Sequence, residues 1–512
     1  MRNNVGYLLA KRALLHPEKE ALIDVSDNKR LTYTQFNSST NRAAHGLTDM
    51  RIRKGDRVGV LLSNCVEYMV LFFAIAKVGA VCVPLNSRLV TDELVYILND
   101  SGARALAYGN EFRRVVADIR TGANHSTSVA TWLYVGSEGE PNESDISFER
   151  LASQAPKWEP ERQGYDEDAL FIMYTPGTKG YPKGVVHTHN STIWESVSMA
   201  STWEMRQDDR FFICMPLFHG ASLMPAIMSI FRGNSVVMVR AFDPSLYWKI
   251  IASERVTNSL MVPTVLTMML QAPEKNTCDF SSFRWAAVGG APVPASLLQA
   301  YADMGIRLEQ VYGLTEAGPV SQLMGEDAAR KLGSTGKPLL FSEVRVVDTN
   351  DQEVPPGVPG ELVLQGPNLM REYWNLPEET AHTLRGGWLH TGDLATVDEE
   401  GFIYIVDRLK DMIISGGENI DPAEIEQVIR SMPQVSQVAV IGQPDPKWGE
   451  TPLALIVRQD VSLDEERVIS FCEGKLARYK IPKSVIFKDS LPLTPTGQVQ
   501  KAILRARLVE GS

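Results

Sequence analysis

RVGVLLSNCVEYMVLFFAIAKVGAVCVP, residues 57–84, is the stretch that decides the fold. It opens on a short apolar run, Arg57 to Leu62, of strand length and strand composition. A helical segment from Cys65 to Val78 follows, apolar almost all round, and then a second strand-like run, Ala80 to Pro84. Strand, helix and strand within 28 residues is the signature of a βαβ unit, which requires a parallel pair and a crossover helix. A second round follows at once, with a helix from Asp92 to Asn99 and a strand from Ala103 to Tyr108. Repetition of this kind predicts an α/β fold with a largely parallel sheet covered on both faces.

Outward from this segment, residues 121–165 are rich in Ser, Glu, Gly, Asn and Pro and read as loops. A second α/β block runs from about Leu170 to Asp303. After Gly333 the pattern turns to short strands and turns, as in Ser342–Val347 and Gly360–Gln365, and predicts a small β-rich subdomain. The charged run Asp407–Asp411 is the expected junction between an N-terminal domain, 1–407, and a small α+β C-terminal domain, 408–512. In the latter, helices are expected over Ala423–Ser431 and Asp464–Leu476, with strands over Gln437–Ile441 and Pro452–Val457.

The bulk numbers narrow the function classes. The 512 residues are too many for one core. Hydrophobic residues at 44% and charged residues at 22% are ordinary globular values. A net charge of −11 argues against a nucleic-acid binder. Five widely spaced cysteines, Cys65, Cys82, Cys214, Cys278 and Cys472, form no CxxC or metal knuckle and read as reduced thiols. The N-terminal apolar run is too short for a signal peptide. The longest apolar stretch, Val66 to Ala76, carries Glu67 and is too short to span a bilayer, so a cytoplasmic protein is expected.

Three segments carry chemistry. The first is YTPGTKGYPKG, residues 174–184, after the strand-like run Ala169–Met173. Small residues and three glycines let a backbone wrap an anion with its N–H groups, and Lys179 and Lys183 add positive charge. It is not a Walker loop, since Pro182 stands where that pattern needs Gly, and by itself it reads equally as a bland turn. The second is VGGAP, 288–292, with VYGLTEAG, 311–318. Here Tyr312 can offer a flat ring to a nucleobase, Thr315 a hydroxyl to a phosphate and Glu316 a hard oxygen to Mg²⁺. The ordinary alternative is a strand end. The third is GWLHTGD, 387–393, whose Asp393 can accept hydrogen bonds from a ribose diol; a lone TGD is otherwise only a turn.

With PLFH (216–219), IISGGENI (413–420) and LPLTPTG (491–497), these segments give the chain a clear likeness. It resembles, over nearly its whole length, the adenylate-forming superfamily of acyl-CoA synthetases, nonribosomal-peptide adenylation domains and firefly luciferase. The bacterial fatty acyl-CoA ligases are the most similar branch. The resemblance implies a carboxylic acid activated by ATP and Mg²⁺ to an acyl-adenylate, with the acyl group then passed to coenzyme A. It also implies residue roles. The phosphate loop would use Thr175, Gly177, Thr178, Lys179, Gly180 and Lys183. Gly290, Ala291, Tyr312 and Gly313 would hold adenine, Thr315 the α-phosphate, Glu316 the metal, and Asp393 and Arg408 the ribose. His219 would sit near the acyl carboxylate, Lys410 would be the hinge, Gly416 and Gly417 would form the loop past which the pantetheine arm reaches, and Trp448 with Gly449 would belong to a coenzyme A-facing turn, equally read as a solvated face. Lys447, Glu450, Arg478 and Lys480 are looser candidates for the coenzyme A side, equally read as a solvated face.

Three positions depart from the family pattern. Pro176 replaces a serine and Lys179 a threonine, costing the loop an N–H and hydroxyls. The family's adenylation lysine is Gln498. Removing one preorganised stabiliser costs about 3 kcal/mol, so three readings stand: a deliberate replacement, a natively slow first step, or service by Lys501. The expected activity is therefore an acid–CoA ligase on fatty or aryl acids. The methionine-rich runs Phe218–Phe231 and Leu260–Leu270 border its acyl pocket or are plain core. The alternatives are an enzyme loading a separate carrier protein, an adenylation-impaired variant, or a non-catalytic binding protein.

Overall fold

The computed structural model describes residues 3–122, 126–136, 142, 144–175, 181–291, 293–325, 327–408, 412–492, 499 and 501–510. The chain divides into two units. The first comprises Met1–Ser87, Val95–Tyr174 and Gly184–Val406, and the second Arg88–Leu94, Thr175–Lys183 and Asp407–Ser512.

The first unit is built on the βαβ pattern of residues 57–84. Strands Arg57–Leu61 and Val81–Pro84 pair in parallel through the helix Val66–Lys77, and Ala103–Gly109 adds on the other side. Almost every residue of that helix is buried. Burial extends to Lys77, whose ammonium meets Glu159 and Asn41 at 2.8 and 2.6 Å; desolvation brings its pKa down to about 8. These strands belong to an eight-stranded sheet whose other edge holds Ala169–Thr175, Lys183–Thr188 and Glu372–Tyr373. A nine-stranded sheet forms the second α/β block. Its centre, Arg210–Ile213, Asn258–Met261, Trp285–Gly289 and Arg307–Leu314, is parallel, as buried β-branched and aromatic strands between helices should be. One apolar core, including the fully buried Trp248 and Trp285, unites the two large sheets.

The expected β-rich subdomain is a four-stranded sheet, Glu343–Val347, Gly360–Gln365, Leu389–Val397 and Ile403–Arg408, whose apolar cluster is shared with Val185, Tyr312 and Val320 of the large sheets. Residues 121–165 are not all loop. Thr131–Val135 and Ile146–Ser147 extend the eight-stranded sheet in parallel, and Phe148–Gln154 is helical, capped by the Ser147 hydroxyl. The apolar WLYV inside Thr131–Val135 is the physical reason, since three of its residues are buried.

In the second unit a sheet of Glu418–Ile420, Ile413–Ser415, Gly449–Arg458, Val435–Asp445 and Ser484–Phe487 packs against the helices Pro422–Arg430 and Glu465–Cys472. Its hairpin strands run longer than the sequence reading placed them. The second of these helices stops at Cys472 rather than Leu476, ahead of the left-handed Gly474. All five cysteines are free thiols, and all but Cys278 are buried. Among the described residues no helix is long and apolar enough to cross a membrane.

Candidate active site

The site begins where two parallel strands of the nine-stranded sheet end. Gly289, the last residue of Trp285–Gly289, lies opposite Val311. A Cβ at Gly289 would stand 2.2 Å from the Val311 carbonyl oxygen, so only glycine lets the strands approach this closely. Gly290 then turns the chain with φ +79°, and the space a Cβ would occupy there is open apart from Val262 at 3.6 Å. Ala291 follows that turn. An open, side-chain-free shelf at the carboxyl ends of parallel strands is where α/β folds bind nucleotides.

Tyr312 leaves the neighbouring strand nearly buried, and its hydroxyl donates to Oδ2 of Asp393 at 2.6 Å. Asp393 lies on Leu389–Val397 of the four-stranded sheet, after the left-handed Gly392, and its amide donates to the Thr391 hydroxyl. The two residues singled out for adenine and ribose are thereby joined. Gly313 pairs with Pro319 and lies so close to Gly318 that a side chain at 313 would meet the Gly318 carbonyl at 2.5 Å.

The turn Thr315–Ala317 is clamped from several directions. The His187 ring donates from Nε2 to the Thr315 carbonyl at 2.7 Å, which fixes its tautomer. Burial holds the His187 pKa below the ordinary imidazole value, so the ring stays neutral. The Tyr373 hydroxyl donates to Oε1 of Glu316 at 2.7 Å, and the Met370 amide donates to the Glu316 carbonyl. Burial first, then the Glu316 carboxylate, raises the Tyr373 pKa and keeps the phenol a donor. Asn368 donates from Nδ2 to the Ala317 carbonyl at 2.6 Å. His187, Tyr373 and Asn368 escaped the sequence reading. Each reaches the turn from far along the chain, and no local pattern marks such a contact.

Glu316 thus presents a carboxylate oriented through one oxygen. Among the described residues no group of three or more His, Cys, Asp or Glu could hold a metal. That fits Mg²⁺, which takes one or two carboxylates and completes its shell with substrate phosphates and water.

His219 caps the helix Gly220–Arg232, with its ring 4.5 Å from that of Phe218. The segment before it is anchored by Asn64, which accepts from the Leu217 amide, and by Tyr68, which donates to the Leu217 carbonyl. Thr175 closes the strand Ala169–Thr175, and Lys183, nearly buried, opens Lys183–Thr188. Pro176, Gly177, Thr178, Lys179 and Gly180 of the loop between them lie outside the described residues, as do Lys410 and Gln498. The backbone of Arg408 ends the strand Ile403–Arg408, and its side chain is likewise outside the description.

In the second unit, Gly416 and Gly417 form the two-residue turn of the hairpin Ile413–Ile420, with φ values of 58° and 87°. Two consecutive left-handed residues are the requirement of a type I′ turn and select glycine. A Cβ at Gly416 would stand 2.9 Å from the Trp448 ring, and the Gly416 amide donates to the Trp448 carbonyl at 2.8 Å. Asp445 shapes the second turn by accepting from the amides of Lys447 and Trp448 at 2.8 and 2.9 Å. Oε2 of Glu450 accepts from the Ile414 amide at 3.0 Å. The two segments thus form one rigid edge, topped by the Lys447 ammonium over the Trp448 ring.

Two cations are committed elsewhere. Lys501 opens the last helix and pairs with Glu426 at 2.7 Å. Lys480 is buried and paired with Glu424 at 2.8 Å, which is not the solvated face that was one reading of it.

Residues 9–374 match the AMP-binding enzyme family and residues 424–498 the AMP-binding enzyme C-terminal domain. The chain is 43% identical to a long-chain-fatty-acid–CoA ligase of Mycobacterium tuberculosis, over 98% of each chain. It is 39% identical to a feruloyl-CoA synthase of an Amycolatopsis species, over 99% of this chain and 100% of that one. Its structure is similar to that of o-succinylbenzoate CoA synthetase from Bacillus subtilis bound to a product analogue, with a TM-score of 0.87, 32% identity and 99% coverage of both. These matches span both units and every segment described above, and the chain belongs to the AMP-binding, adenylate-forming enzyme family.

Proposed function

We propose that the protein is an ATP-dependent acid–CoA ligase acting on fatty or aryl acids. A carboxylate cannot acylate a thiol directly, because oxide is too poor a leaving group. The acid therefore attacks the α-phosphate of ATP, giving acyl-AMP and pyrophosphate, and the coenzyme A thiol then displaces AMP to give acyl-CoA.

The observation that carries this reading is the Tyr312–Asp393 hydrogen bond, next to a clamped Thr315–Glu316 turn. In our reading Gly290, Ala291, Tyr312 and Gly313 receive the adenine ring, and Asp393 with Arg408 the ribose. Thr315 donates to the α-phosphate. Glu316, oriented by Tyr373, holds Mg²⁺. When bound, that ion neutralises phosphate charge so that two anions can meet. Thr175, Gly177, Thr178, Lys179, Gly180 and Lys183 form the polyphosphate loop, and His219 positions the acyl carboxylate. Gly416, Gly417 and Trp448 border the path of the thiol.

The domains we assign are 1–407 and 408–512, with Lys410 the hinge between the two half-reactions, and a cytoplasmic location is proposed with them. Position 498 carries an uncharged donor where the charge-bridging lysine of the family stands. In the present conformation Lys501 has a carboxylate of its own in Glu426, so the first half-reaction is proposed to be slow, not rescued from 501.

The test is mass spectrometry after incubation with ATP, Mg²⁺, coenzyme A and a panel of fatty and aryl acids. Acyl-CoA with stoichiometric AMP is expected. Acyl-AMP that accumulates in the presence of coenzyme A would overturn the choice of acceptor in favour of a carrier protein. Neither product from any acid would overturn the ligase reading.

A further inference from the structure

One buried acid in the first unit has no hydrogen-bond partner among the described residues. Glu195 lies on the helix His189–Thr202, which packs against the helix Gly220–Arg232 and the strand Gly318–Leu323. It is 1% exposed, and neither of its carboxyl oxygens has a hydrogen-bond partner among the described residues. Three positions to either side, Thr192 Oγ1 and Ser198 Oγ are also buried and unpartnered. Spacings of three place these atoms in one row on the inward side of the helix. Buried polar groups are almost always satisfied, so a row of unsatisfied ones calls for a ligand or water.

The carboxyl reaches over Gly318. A Cβ built there would stand 2.0 Å from Oε1 and 2.3 Å from Cδ, so the missing side chain at 318 is the space the carboxyl occupies. Gly318 follows Glu316 by two residues. A second element against this helix, Gly220–Arg232, is the one with His219 at its N-cap position. Glu195 therefore belongs to a helix that touches both elements flanking the reacting carboxylate in the reading above.

We propose that Glu195 is a specificity-determining residue of the acyl site and receives a hydroxyl group carried by the acid substrate, phenolic or aliphatic. The proposal rests on the ligase reading. A protonated carboxyl both donates and accepts, and so does a hydroxyl, so the two can satisfy one another. No charged neighbour offsets the burial, which pushes the carboxyl up to about 8. At neutral pH it is a neutral acid and suits a neutral hydroxyl better than an ammonium. An unsubstituted acyl group leaves the carboxyl unpaired, which is how a site built to bond a hydroxyl rejects analogues lacking it.

The experiment compares two matched pairs: para-hydroxycinnamic with cinnamic acid, and an ω-hydroxy fatty acid with its parent. For each, kcat/KM for acyl-CoA formation and the calorimetric affinity are measured on the native protein, Glu195→Gln and Glu195→Leu. The native protein should favour the hydroxylated member of one pair by about tenfold or more. The responding pair identifies the source of the hydroxyl. Glu195→Leu should bring that ratio to near one, and Glu195→Gln should keep part of it. Identical ratios in the native protein and Glu195→Leu for both pairs would overturn the proposal while leaving acyl-CoA formation, and the ligase reading, intact. If no acid gives product, the ligase reading fails separately, and equal affinities in native and Glu195→Leu proteins would then overturn this one. Glu195→Leu should hold or raise the unfolding temperature, since it removes an unpaired buried group. A clear fall would mean a partner within the protein and would equally overturn the proposal.

Discussion

The Thr315–Ala317 turn and the buried face of the helix His189–Thr202 are built on opposite principles. In the turn, three successive carbonyls and the Glu316 carboxylate each accept from a distant donor: His187, Met370, Asn368 and Tyr373. On the helix, Thr192, Glu195 and Ser198 each leave a polar atom with no hydrogen-bond partner among the described residues. The difference follows from what each region must do. ATP never changes, so the groups proposed to meet it can be locked in advance, and preorganisation is what gives electrostatic stabilisation its value. The named acids of the relatives differ, so in our proposal the groups that meet the acid are completed by the substrate itself.

The most severe break in this contrast is Glu316→Ala. Loss of the proposed metal-binding carboxylate should lower the rate of pyrophosphate release by about a thousandfold, on the scale of one lost preorganised group. Retention of full activity would end the assignment. Gln498→Lys acts in the opposite direction. It should speed pyrophosphate release by about a hundredfold and barely change thioester formation from supplied acyl-AMP. Equal effects on both half-reactions, or none on either, would remove position 498 from the first step.

Tyr373→Phe removes only the donor that orients Glu316. A single hydrogen bond to a charged group predicts a loss of about tenfold, visible as a higher Mg²⁺ requirement. An unchanged Mg²⁺ dependence would make Tyr373 merely structural. Gly318→Ala tests the other region, because its Cβ collides with the Glu195 carboxyl. The native φ of +65° adds strain, so denaturant unfolding should show a loss of about 1–3 kcal/mol. Adding Glu195→Ala should restore part of that loss, and strict additivity of the two changes would deny that the residues touch.

The smallest effect concerns pH. The folded chain keeps a proton on Glu195 up to about pH 8, whereas the unfolded chain releases it near the ordinary value of 4.5. The unfolded state therefore binds fewer protons across this window, and stability falls as pH rises through it, levelling off above about 8. Urea midpoints for native protein and Glu195→Gln should converge toward the acid end and separate toward the alkaline end. Parallel curves would contradict a buried, unpaired carboxyl.

Much of this was legible in the sequence, for identifiable reasons. Residues 57–84 announce their βαβ unit because a fully buried helix and two buried strands leave no polar positions to blur the pattern. Gly290, Gly416 and Gly417 were legible because left-handed turns admit almost nothing else. The clamps were not. His187 lies 128 residues from the carbonyl it holds and Tyr373 57 residues from Glu316, and neither distance has a periodic signature. Thr131–Val135 was hidden because its polar flanks outweigh five strand residues. Glu195 looked like any polar position on a helix, since sequence does not say which face is turned inward.

The hydrogen bond between Tyr312 and Asp393 joins a strand of the nine-stranded sheet to one of the four-stranded sheet. Its consequence is one of inheritance. The small sheet looks like an exchangeable module, yet its apolar cluster includes Val185, Tyr312 and Val320 of the two large sheets, and half of a two-residue contact at the proposed nucleotide site is encoded on each side of that seam. A chimera that imports residues 343–408 from a relative inherits Asp393 without the Tyr312 that positions it. The pair must travel together, so the unit of recombination in this enzyme is larger than the small sheet.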